Sequence, residues 1–179
     1  MSWQDGHTQK GREKTGSRMA NVAIRTARPG DAETILEVKQ AAITELSASA
    51  YTREQVTAWT PSDSALAEYR TATETATFQI LVACDTDQVV GYGVLNVEQD
   101  QVEALFVRPS WARLGVGTRL LRQLEASATL GGCRELTVVS SRNAVGFYES
   151  HEYVRLDTQS RVIGDVELEF VVLSKQLTR

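Results

Sequence analysis

The sequence predicts a mixed α/β fold, with helices on both faces of a mostly antiparallel central sheet of about seven strands. Three observations carry this. Stretches with strand spacing and helix spacing follow one another as strand, helices, strand hairpin, strand, helix, strand, helix, strand pair. Short polar turns at residues 85–88, at 98–100 and around Gly164 join consecutive strands, which makes those neighbours antiparallel. One strand, within residues 101–124, passes through a glycine-bearing loop straight into a helix.

Residues 22–26 form the first strand, which Arg28-Pro29-Gly30 ends. Asp31 is a suitable N-cap for a helix running to about Leu46, with Ile35, Val38, Ala42 and Leu46 as its buried stripe. After a break at 47–50, Thr52-Arg53-Glu54-Gln55 has the capping-box pattern and starts a second helix, stopped by Pro61. Residues 64–73 give another short helix. Strands at 78–84 and 89–97 flank the first hairpin turn, and Gly91 and Gly93 inside the second mark a bend or a close backbone approach. The strand at 102–107 is mostly apolar on both faces, as a central strand is, and Pro109 stops its ladder. The helix that Gly115 opens buries Val116, Leu120, Leu121 and Leu124 and ends at Gly131-Gly132. A buried strand at 135–140, a short helix at 144–150 and strands at 153–156 and 165–173 complete the order.

The chain has 179 residues, which suits one domain, expected at 21–179. Residues 1–18 hold almost no apolar side chains and no hydrophobic core of a signal peptide, so a disordered leader is expected over 1–20. No apolar run approaches the roughly 20 residues of a membrane span, so no membrane partner is expected. Two cysteines and two histidines form no spaced zinc motif, and no metal is expected. A cytoplasmic location is expected, since nothing suggests an oxidising compartment. The net charge of -4 argues against nucleic acid as a partner.

Against that acidic background, residues 104–124 contain four arginines (Arg108, Arg113, Arg119, Arg122) and no acid. A local reversal of sign where a glycine loop enters a helix suits an anionic ligand, because the first-turn amides have no internal partners. The dinucleotide fingerprint fails, since Leu120 stands where a third glycine would be, and no Gly-Lys-Ser/Thr follows for a nucleotide-triphosphate loop. A tight turn without a ligand remains the alternative reading of the glycines alone.

The run Ala112-Arg113-Leu114-Gly115-Val116-Gly117 resembles the acetyl-CoA-binding motif of the GNAT N-acetyltransferases. The segment SRNAVGFYESHEYVRL, residues 141–156, resembles that family's later motif, in which an asparagine precedes a Phe-Tyr pair and a Gly-Phe. The likeness covers about residues 22–175. Two departures stand out: Ala112 replaces the motif's Arg or Gln, and Glu152 replaces its Gly. A non-glycine residue at positive φ there would strain the turn by roughly 1 kcal/mol.

The resemblance implies the acyl-CoA N-acyltransferase fold, in which two adjacent parallel strands splay to admit the coenzyme. It implies transfer of an acetyl group from acetyl-CoA to an amine acceptor by direct attack, with no covalent enzyme intermediate. A small-molecule primary amine is the expected acceptor; a protein N-terminus or lysine, or a non-catalytic acetyl-CoA-binding module, are the alternatives. Backbone groups of Leu105, Phe106 and Val107 would pair with the pantetheine arm, and amides of Arg113, Leu114, Gly115, Val116, Gly117 and Thr118 would hold the diphosphate. Asn143 would meet the pantetheine arm, cap the helix at Ala144, or do both. Tyr148 would protonate the leaving thiolate, its alternative being a packed aromatic beside Phe147. Glu103 is the first candidate for general base, with Glu45, Tyr51 and His151 behind it and an idle solvent-facing carboxylate as the alternative. Tyr51 and Trp59 are expected either to line the acceptor pocket or to pack as core aromatics. The family implies a homodimer too, for which residues 166–173 offer a strand edge.

Overall fold

The computed structural model of the chain describes residues 21–178; the expected leader lies outside them. One seven-stranded sheet runs in the order β1-β2-β3-β4-β5-β7-β6. Its strands are β1 (Val22–Thr26), β2 (Phe78–Asp85), β3 (Gln88–Asn96), β4 (Gln101–Val107), β5 (Glu135–Ser141), β6 (Val154–Ile163) and β7 (Val166–Gln176). Only β4 and β5 run parallel; every other neighbouring pair is antiparallel. The helices are α1 (Ala32–Leu46), α2 (Arg53–Trp59), α3 (Leu66–Glu74), α4 (Val116–Leu130) and α5 (Val145–Glu149).

The sheet separates two apolar layers. On one face α4 sets Leu120, Leu121 and Leu124 against Leu81, Val90, Val102 and Leu136, all buried. On the other, α1 sets Ile35 and Val38 against Ile80, Val82 and Tyr92. The glycines of β3 answer to the first layer. A Cβ on Gly93 would fall 2.8 Å from Leu124 Cδ1, so the missing side chain lets α4 lie close to the strand.

Asp31 holds the position before α1, but its carboxylate does not cap that helix. A 3₁₀ turn, Pro29–Asp31, comes first, so Asp31 is already helical in backbone. The carboxylate instead accepts the Arg28 amide at 2.7 Å and both guanidinium nitrogens of Arg25 at 2.7 and 2.8 Å. That fork holds the Asp31 carboxyl below its ordinary range. The stripe of α1 is wider than expected: Ile35, Val38 and Ala42 are buried as expected, Leu36 and Ile43 join them, and Leu46 is half-buried and lines a cleft.

At its C-terminus α4 ends with Gly132 at φ 93, Cys133 N–H donating to Ala128 O and Gly132 N–H to Thr129 O. This is the paired carbonyl closure that Gly131-Gly132 predicts. The expected edge at 166–173 is not one. β7 pairs with β5 on one side and β6 on the other, because β6 continues through Ile163 and folds back along it. The edge strand at that end of the sheet is β6.

Candidate active site

β4 and β5 pair only at Gln101↔Thr137 and Val102↔Val138. Immediately afterwards the register between β3 and β4 shifts: Leu95 faces Val102, Val94 faces Ala104, and Glu103 is the extra residue. Such a bulge bends its strand and increases the local twist. Beyond it β4 leaves β5, and a cleft of about 890 Å³ opens between them. β4 contributes Leu105, Phe106 and Val107 to its wall, the opposite side Ser141, Asn143 and Phe147.

The direction of the β4 backbone follows from one hydrogen bond. Arg108 N–H donates to Val90 O at 2.8 Å, so Arg108 points its main chain at β3. Main-chain direction alternates along a strand. Phe106 therefore also faces β3, while Leu105 and Val107 turn their N–H and C=O into the gap. A pantetheine arm needs such alternating donors and acceptors. The main chain of Phe106 is thus turned away from the gap; the residue lines the cleft, and its ring stacks on Tyr92 at 5.8 Å.

At one end of the cleft α4 begins. Gly115 is at φ 92, the left-handed region, and Arg113 is also there at φ 61. The first internal amide bond is Arg119 N–H to Gly115 O at 3.1 Å. The amides of Val116, Gly117 and Thr118 thus come before the internal ladder and point out of the helix start. Arg113 is exposed and lines the cleft beside Ala112. Leu114 turns its side chain into the core, leaving only its backbone for a ligand. A Cβ on Gly117 would touch the Phe147 ring at an ordinary 3.5 Å. Packing alone does not require glycine there; the bare backbone keeps the floor of the cleft open.

The opposite wall is α5 and the 3₁₀ turn Arg142–Ala144 before it. Asn143 is exposed and lines the cleft. It does not cap α5, whose N-cap is Ala144 without a side-chain bond. Tyr148 follows the cleft-lining Phe147 but is itself only 4% exposed, edge-on to Phe147 at 5.1 Å and to Tyr153 at 5.5 Å. Burial pushes its phenol well above the ordinary range. At neutral pH it is a hydrogen-bond donor rather than a base. His151 lines the cleft too. Its Nδ1 lies 2.8 Å from Phe147 O and its Nε2 3.1 Å from Thr118 Oγ1. Glu152 sits at φ 69, and Tyr153 N–H donates to Tyr148 O beyond it, so the strained turn that its non-glycine side chain predicts is present.

At the other end the wall comes from Ala42 and Leu46 of α1, with the Ser47, Ser49 and Ser141 hydroxyl residues. Behind it Trp59 packs at 6.2 Å from Phe106 and 5.4 Å from Phe170, with Tyr51 5.6 Å from Trp59. Tyr51 is a strut. Its hydroxyl donates to Glu169 O at 2.7 Å and accepts the Arg142 amide at 3.0 Å, while the Arg142 guanidinium stacks over its ring. With both hydroxyl functions occupied and burial raising its pKa, Tyr51 is a core aromatic and not a base. Glu103 is exposed on the bulge, its Oε1 accepting from Asn96 Nδ2 at 3.1 Å, and it lies outside the cleft wall. Glu45 is exposed and likewise outside it. Sequence reasoning missed Trp111, Ser47, Ser49 and Ser141, which lie in turns or at helix ends where no periodicity points to a cleft.

Comparison with known proteins agrees with this geometry. Residues 47–166 match the model of the acetyltransferase (GNAT) domain family. The chain is 31% identical over 141 residues, 79% of its length and 87% of the relative's, to YafP, an uncharacterised N-acetyltransferase of Escherichia coli. It is 27% identical over 132 residues, 67% of its length and 86% of the relative's, to an aminoglycoside N(6')-acetyltransferase type 1 of Stenotrophomonas maltophilia. Its fold superposes with a TM-score of 0.80, at 30% identity, on the crystal structure of a GCN5-related N-acetyltransferase from Rhodopseudomonas palustris, covering 87% of this chain and 95% of that one.

Proposed function

The chain belongs to the GNAT acetyltransferase family and is an acetyl-CoA-dependent N-acetyltransferase; within that chemistry we propose that its acceptor is the primary amine of a small molecule, acetylated by direct attack on the thioester. The observation that carries this is the apolar packing that backs one end of the cleft. Ala42, Leu46 and Phe106 wall it, and Trp59, Tyr51 and Phe170 fill the space behind. A peptide substrate needs a groove open along its length; a walled end suits a compact amine. The aminoglycoside-acetylating relative acts on a small molecule, which supports the same choice.

In this reading Leu105 and Val107 pair with the pantetheine arm through their gap-facing main chain, and Asn143 reaches the arm from the facing wall. The helix-start amides, with the Arg113 charge beside them, take the diphosphate. The arm then brings its thioester beside the β4 bulge, where a main-chain N–H meets the oxygen as it gains charge. The acceptor nitrogen attacks the carbonyl carbon, and the C–S bond breaks as the C–N bond forms. Tyr148 donates a hydrogen bond to the departing sulfur. A thiol ordinarily ionises near pH 8.5, so a phenol raised by burial stabilises the thiolate without surrendering its own proton. Glu103 takes the amine proton through a water, since its carboxylate stands outside the cleft wall.

A panel of small primary amines and of peptides, followed by release of free coenzyme A, tests the acceptor. Turnover with compact amines is expected. Turnover confined to peptides would move the assignment to a protein acceptor, and coenzyme binding with no turnover on any member would favour a binding module.

A further inference from the structure

His151 is the one histidine, among the described residues, that lines the cleft; an imidazole can carry its proton on either nitrogen or on both, and the partners of this ring fix where hydrogen sits. Phe147 O lies 2.8 Å from Nδ1, and a carbonyl only accepts. Ser150 Oγ is 3.1 Å from the same nitrogen but already donates its hydrogen to Phe147 O at 2.6 Å. Nδ1 therefore carries hydrogen. In the neutral ring Nε2 then has only a lone pair, which the Thr118 hydroxyl must fill across 3.1 Å. The hydroxyl so turned presents its own lone pairs to the cleft, acceptor against acceptor for an arriving phosphate oxygen.

Protonation reverses this. An imidazolium donates through Nε2 to Thr118 Oγ1 and frees the hydroxyl hydrogen for the phosphate. It also places a positive charge at the start of α4. We propose that His151 is a positioning residue for the coenzyme: it turns the Thr118 hydroxyl toward the diphosphate and takes up a proton from solvent as the diphosphate docks. The proposal rests on the reading that the coenzyme diphosphate occupies the start of α4.

The surroundings allow it. On the wall opposite His151, α4 presents Thr118 and its unpaired first-turn amides, and the preceding loop presents Arg113. The two neighbouring carboxylates are drawn elsewhere: Glu149 pairs with the Arg155 guanidinium at 2.6 Å, and Glu152 lies 3.7 Å from Lys175 Nζ. Arg119 sends its guanidinium to Val22 O at 2.8 Å. A bound diphosphate is therefore the nearest anion to the ring and favours its charged form.

The sign follows from linkage. Binding that favours the protonated ring raises its pKa in the complex. Affinity is then independent of pH where His151 is protonated in both states, falls as pH rises through the free and bound values, and levels off above them. Dephospho-coenzyme A is the suitable probe, since it keeps the diphosphate and lacks the terminal phosphate that titrates in the same range. Calorimetry between about pH 5 and 8, in buffers of different ionisation enthalpy, reads the protons exchanged.

Wild-type protein is expected to take up as much as one proton per ligand, with affinity falling up to about tenfold per pH unit in that window. His151→Gln should bind with no uptake and a flat profile. His151→Phe, which keeps a ring against Phe147, should do the same and serves if the first variant fails to fold. Undiminished uptake in a folded variant, or wild-type binding with no uptake at any pH, overturns the role of His151. No binding of dephospho-coenzyme A or coenzyme A to wild-type protein overturns instead the coenzyme site on which the role depends.

Discussion

Tyr148 and Glu103 divide the proton work in the proposed reaction, and each can be removed without disturbing the other. Tyr148→Phe keeps the ring that packs on Phe147 and Tyr153 and deletes only the donor to sulfur. Turnover at saturating substrates should fall roughly 10–100-fold, with coenzyme affinity nearly unchanged; full turnover in the variant would take Tyr148 out of the mechanism. Glu103→Gln retains a partner for Asn96 Nδ2 and loses the base. Its pH–rate profile should lose the acid limb, and a profile superimposable on the wild type would dismiss Glu103. The sequence singles out both residues as candidates, one from its Phe-Tyr context and one from its strand. Their surroundings were not. Burial of the Tyr148 ring rests partly on Tyr153, which the turn after α5 carries back against it, and the Glu103 bulge depends on a register shift set by β3. Tyr51 shows the same limit: its hydroxyl partners lie 118 and 91 residues away along the chain.

Among the elements, the turn after α5 offers a direct measure of stored strain. Glu152 occupies the left-handed position that closes the helix, at φ 69, with its side chain 87% exposed. Its ion-pair contact among the described residues is 3.7 Å from Lys175 and too exposed to add much. Glu152→Gly should stabilise the fold by about 0.5–1 kcal/mol, the relief of a Cβ at positive φ less the greater chain entropy of glycine. Chemical denaturation reads it, and an unchanged or lowered midpoint would show that the turn is not strained. This position was legible because the family motif has glycine there. The capping box of α2 was legible for a local reason too: Thr52 and Gln55 exchange side-chain and backbone bonds within a single turn. Asp31 was misjudged because its true partner, Arg25, belongs to another element.

For the whole molecule, seven strands and the helices on each face followed from periodicity, while the order of strands at one end did not. β6 and β7 are consecutive, yet β7 is drawn inside because β5 pairs along its length. The exposed edge is thereby β6, and it carries Val154, Leu156 and Val162 at 65, 59 and 71% exposure. Unpaired main chain beside exposed apolar side chains favours pairing with a second copy. We propose a homodimer through β6. Sedimentation at micromolar concentration should give twice the chain mass, and Leu156→Asp with Val162→Asp should return it to one; a monomeric wild type would refute the pairing. The parted strands have a different consequence. Since β4 and β5 are zipped by two residue pairs alone, the halves of the sheet on either side of that seam share little main-chain bonding. An occupant that bonds to the β4 backbone and is gripped from α5 spans the seam like a rung set between two rails. The donor substrate is then also a brace, and amide exchange along the inner edges of both strands should slow when it is bound and quicken each time it leaves.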